Sequence, residues 1–170
     1  MFLQNERSKN MRINNTLIIL ICFTMVACFP PFDKTLMPEF TLADTLDNQS
    51  TVFHSGESFQ MHFSVINSLP DTLVFIRYDS GPVVQFMIMQ EDSVIASSVD
   101  GLCFIHLCIV FEGYFLPGDT IRAEWLAPTT LQQSPKIFLA PGVYKARVIS
   151  PLFDLEEIPA PEDIPFSVIQ

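Results

Sequence analysis

The chain has 170 residues, of which 49% are apolar, 12% aromatic and 16% charged; it is long enough to bury a core and too apolar for intrinsic disorder. Nine Lys and Arg stand against 19 Asp and Glu, a net charge of −10, which excludes the basic surface that nucleic-acid binding needs. Thirteen Pro and six Gly break the chain into short segments rather than a few long helices.

The first element is an address. Residues 16–27 (TLIILICFTMVA) carry no charge and follow Arg7, Lys9 and Arg12. At 12 residues the run is shorter than the roughly 20 a spanning helix requires, and Pro30 and Pro31 stop any continuation. A basic start, an apolar stretch and a small residue before a cut describe a secretory signal peptide over residues 1–27. The cut, Met25-Val26-Ala27-Cys28, resembles a bacterial lipobox, in which the Cys28 thiol takes a diacylglyceryl group. The alternative is an unmodified thiol behind an ordinary signal peptide. Met11, directly before the basic and apolar stretch, is the expected start. Cleavage would leave 143 residues (170 less 27) with six basic and 18 acidic side chains, a charge of −12. That surface is repelled by anionic headgroups, so the acyl chains would supply the attachment. The chain is thus expected to be exported and held at the cell membrane or outer membrane through Cys28. Phe29 stands where an Asp would retain a lipoprotein at the inner membrane.

Residues 28–38 (CFPPFDKTLMP) read as a Pro-rich tether, and residues 39–170 as one domain. Asn48-Gln49-Ser50 matches a glycosylation acceptor by pattern only. In residues 57–65, Phe59, Met61, Phe63 and Val65 alternate with Gln60, His62 and Ser64, the period of a half-buried strand. A turn at 67–71 leads to a strand over 73–78, and Asp79-Ser80-Gly81-Pro82 to another over 83–89. Residues 90–93 turn the chain into a strand over 94–99. Residues 102–111 are nearly all apolar and read as a central strand or a short buried helix, their β-branched and aromatic content favouring the strand. Within them Cys103, His106 and Cys108 allow free thiols, a disulfide that would need a bend, or a metal site short of a fourth ligand. Residues 120–126 place Ile121, Ala123 and Trp125 on one face; residues 143–150 do the same with Tyr144, Ala146 and Val148. A last strand spans 164–169.

Seven to nine short alternating strands predict an all-β, antiparallel sandwich. Trp125 is expected in the core, and Tyr144 packed with its hydroxyl bonded to backbone. His62 reads as solvated, and His54 as bonded locally. Glu57 and Asp119, each after a Gly, read as turn carboxylates accepting backbone N–H groups. Residues 151–165 hold four Pro with Asp154, Glu156, Glu157, Glu162 and Asp163, either a solvated loop or a rigid, extended recognition loop.

Ser55-Gly56-Glu57, Asn67-Ser68, Ser80-Gly81 before an aromatic strand, Pro117-Gly118-Asp119, Trp125 and Pro141-Gly142-Val143-Tyr144 resemble, in that order, the BsuPI (intracellular proteinase inhibitor) domain family over residues 51–149. The chain departs from the family where Val94-Ile95-Ala96 replaces Trp residues and where 102–111 is apolar rather than polar. The resemblance implies an immunoglobulin-like β-sandwich that either inhibits a proteinase or serves as an envelope module.

No nucleophile motif, glycine-rich phosphate loop or complete metal-ligand set appears in the sequence. The expected function is therefore non-enzymatic binding or scaffolding at the membrane, without a cofactor, metal or nucleic acid. Two alternatives remain: a proteinase inhibitor presenting the acidic loop, and a carbohydrate-binding module stacking sugars on Trp125 or Tyr78.

Overall fold

A computed structural model describes residues 35–77, 81–100, 110–129 and 137–170. All of them belong to the compact unit Thr35–Gln170. Cys28, Tyr78, Cys103, His106, Cys108 and most of the apolar run 102–111 lie outside the described residues.

Ten strands are present among the described residues: β1 (Glu39–Ala43), β2 (Val52–His54), β3 (Phe59–Ile66), β4 (Leu73–Arg77), β5 (Gln85–Gln90), β6 (Ser93–Ser97), β7 (Phe111–Phe115), β8 (Thr120–Ala127), β9 (Gly142–Ile149) and β10 (Ile164–Ile169). They build a three-stranded sheet β1-β3-β8, a five-stranded sheet β2-β10-β9-β5-β6 and a two-stranded ribbon β4-β7. The chain is an all-β sandwich. Every pairing is antiparallel except β2 with β10, which is parallel.

The order has the immunoglobulin pattern. The first strand is shared between the sheets: β1 pairs with β3, and after a short crossing β2 pairs with β10. The hydroxyl of Tyr144, early in β9, donates 2.8 Å to the Ala140 carbonyl, as in the tyrosine corner of such sandwiches. Tyr144 therefore packs and bonds as its sequence context predicts.

Alternation places the core. Phe59, Met61, Phe63 and Val65 of β3 are buried, facing Phe86 and Ile88 of β5, Ala146 and Val148 of β9, and Phe166 and Val168 of β10. Phe53 and Phe59 stack with centroids 4.3 Å apart. At Ile88/Met89 the β5–β6 register shifts; such a bulge lets two successive residues face inward, and both are buried.

Three expectations change. Among the described residues there are ten strands rather than seven to nine, because β1 and β2 are too short and too mixed to stand out by periodicity. The domain begins before residue 39: Leu36 is buried and its N–H donates 2.6 Å to the Glu157 carbonyl, so the end of the expected tether is packed. The strand predicted over 73–78 is present as β4, paired with β7 in the separate ribbon. Residues 151–165 are not extended throughout, since Pro151–Asp154 coil into a 3-10 turn capped by Ser150, whose hydroxyl accepts the Leu152 N–H.

Candidate recognition surface

One end of the sandwich gathers the entry segment and three of the connections. The strand directions bring together the entry segment at Thr35, the β3–β4 connection, the β7–β8 turn and the long β9–β10 connection. Asn67 holds the β3–β4 connection and the β7–β8 turn in place. It is fully buried, and its amide donates to the carbonyls of Phe115 (2.7 Å) and Asp71 (3.0 Å). Its side-chain oxygen accepts the Leu69 N–H. Its backbone N–H donates to Asp119, and its carbonyl accepts the Gly118 N–H at 2.7 Å.

The β9–β10 connection carries the acidic residues singled out in the sequence, and two apolar anchors pull it down. Leu152 and Ile158 are fully buried. Asp163 is bound to Arg147 of β9 through two contacts of 2.8 and 2.6 Å, and the guanidinium holds its carboxyl below the ordinary Asp range. Glu157 is half-buried, while Asp154, Glu156 and Glu162 face solvent. The five acids thus do not act as one surface. Leu152 and Ile158 pin the first half of the loop to the domain, while residues 159–163 run without turn or helix and are largely exposed.

Beside it the ribbon offers a different chemistry. Its inner side, Leu73, Phe75 and Phe115, is buried. Phe75 lies directly opposite Gly113, and its ring fills the space where a side chain at 113 would stand. The outer side carries Val74, Ile76 and Tyr114, exposed by 46%, 46% and 61%. Val74 stands opposite Tyr114 and Ile76 opposite Glu112. The Tyr114 hydroxyl donates 2.7 Å to Glu112, which raises its pKa above the ordinary phenol value. Arg77 covers the Phe111 ring at 5.5 Å. The sequence reading missed this strip. Its signal was the lack of alternation in Leu73-Val74-Phe75-Ile76: both faces are apolar, although one is left in water.

The remaining residues have structural posts. Trp125 is buried, lies nearly parallel to Phe86 and donates 2.7 Å to the Thr129 carbonyl, so it offers no open ring for stacking. The Glu57 carboxylate accepts the His54 N–H and that of Asp119 accepts the Leu116 N–H, both as turn carboxylates. His54 Nδ1 lies 3.1 Å from the Gln170 carbonyl oxygen. The Asn48 side chain donates to Asp44, and these bonds lower the Asp44 pKa.

His62 departs from its solvated expectation. It is half-buried, 3.4 Å from Asp47 and 3.7 Å from Glu124. Its Nε2 is shut off from solvent without a hydrogen-bond partner, since the approach of Asp47 is not an aligned hydrogen bond. Among the described residues no group of three His, Cys, Asp or Glu could hold a metal ion.

No protein-family model matches the sequence, and no curated protein matches it. Among solved structures the chain is similar to a crystal structure of a beta-glucosidase from Listeria innocua, at 12% identity and a TM-score of 0.36. That match covers 77% of this chain and 16% of the enzyme, so this chain corresponds to only a small part of the enzyme.

Proposed function

We propose that the protein is a lipid-anchored module of the cell envelope, of the BsuPI-like kind, that acts by non-enzymatic binding of a protein partner. The lipobox ending at Cys28 supports the anchor. The observation that carries the binding role is the apolar outer side of the ribbon. Three large side chains on one pleated face stay in water, although the same strands bury Leu73, Phe75 and Phe115 on the other. An uncovered strip of this kind gains by desolvation against a partner, at about 25 cal/mol per Å² of apolar area removed from water. Tyr114 adds a rigid ring with a polar tip, the combination interfaces favour.

Affinity capture from detergent-solubilised membranes tests it, with Ile76→Asp as the paired variant. A partner retained by the natural chain and lost with Ile76→Asp, at unchanged circular dichroism, is the expected result. Equal recovery by both chains, or inhibition of a serine protease by the processed protein at micromolar concentration, would overturn the ribbon-mediated role.

A further inference from the structure

Seven peptide steps lead from Cys28 to Thr35. Even fully extended they reach about 25 Å, at 3.3–3.6 Å per residue. If Cys28 carries the lipid, as the proposed function has it, the loop-bearing end of the sandwich stays within that distance of the bilayer.

That end is where exposed apolar side chains collect a second time. Glu39 pairs with Ser64, so continuing the same register brings Met37 level with Ile66 on the outer side of the three-stranded sheet. Met37 is 77% exposed and Ile66 55%. Leu116, half exposed, opens the turn that Asn67 straps to the end of β3 through Gly118 and Asp119. A shallow groove of about 400 Å³ runs between Thr35, Met37, Glu39, Ile66 and Ser68. Three separated side chains would not keep a free protein on a membrane. A tether changes that, because it holds them at millimolar effective concentration against the surface. The charges of this end select the lipid. Among the described residues of this end, the carboxylates Glu39, Asp71, Asp119 and Glu157 outnumber the cations Arg122 and Arg147, the latter already paired with Asp163, so anionic headgroups repel it while zwitterionic ones do not.

We infer that this end rests on the bilayer, with Met37, Ile66 and Leu116 touching the headgroup layer of a zwitterionic surface. The inference rests on the Cys28 anchor and adds a second, direct contact of the folded domain with lipid.

The test uses protein purified from membranes, checked by intact mass for acylated Cys28, and reconstituted in phosphatidylcholine vesicles with or without brominated acyl chains. Met37→Trp and Leu46→Trp are compared over the shared background of Trp125. Leu46 is 80% exposed in the turn at the opposite end. The tryptophan at 37 should lose about half of its added emission to brominated lipid, less in vesicles enriched in phosphatidylglycerol, and the one at 46 none. Acylated protein with equal quenching at both positions would overturn the inference and leave the anchor standing. A mass showing Cys28 without lipid would overturn both.

Discussion

Asn67 and Gly113 show how single side chains set the loop-bearing end. Asn67 satisfies two carbonyls and one N–H from a fully buried position. Asn67→Ala leaves those groups without partners and should cost about 1–3 kcal/mol, read as a shift of the urea unfolding midpoint. Gly113 is needed for a steric reason. Its backbone φ is not in the left-handed region, but the Phe75 ring occupies the place of a Cβ. Gly113→Ala must displace that ring from the core, at about 1–3 kcal/mol, and should perturb the ribbon before the rest of the sandwich. Hydrogen exchange that rises in β4 and β7 first would show this; uniform exchange would not. Neither role could be read from sequence. An Asn before Ser-Leu-Pro signals only a turn, and a Gly inside Phe-Glu-Gly-Tyr-Phe signals only a weak strand.

The elements differ in how plainly they announce themselves. β3, β8 and β9 alternate over eight residues each, and period-two patterning identifies them without help. β1 and β2 are five and three residues long, too short for a period, and the pairing that stabilises them comes from β3 and β10. The β9–β10 connection looks polar by composition, yet Leu152 and Ile158 decide its path. Its one strong electrostatic tie is Arg147–Asp163, whose sign can be worked out. The folded state holds the Asp163 carboxyl below its ordinary value and so binds that proton more weakly than the unfolded chain. The stabilisation is therefore present above about pH 3.9, the ordinary Asp value, and fades as pH falls below it. Arg147 is 42% exposed, so solvent screening limits the pair to about 1 kcal/mol or less. Asp163→Asn should lower stability by that amount at neutral pH, and the difference from the natural chain should vanish in acid. A gap that stays constant from pH 7 to pH 2 would assign the effect to packing instead.

At the scale of the whole molecule, fold class was legible because an all-β sandwich is written in alternation and turns, both local properties. The recognition surface was less so. A strip such as Val74-Ile76-Tyr114 becomes visible only when β4 and β7, more than thirty residues apart in the chain, pair and leave one face uncovered. The anchor is the reverse case, a reading of Arg7 to Cys28 alone. It predicts that Cys28→Ala moves the protein from the membrane fraction to the soluble one, with the circular dichroism of a β-sandwich unchanged. The proposed anchor and the exposed strip together make the proposal of a small sandwich, moored by lipid, that recognises a protein through its ribbon. The most direct test places a photo-crosslinking residue at Tyr114 or, as control, at Leu46, in living cells. The account predicts a discrete protein adduct from position 114 that is absent from position 46. No adduct at 114, or the same adducts at both positions, would contradict it.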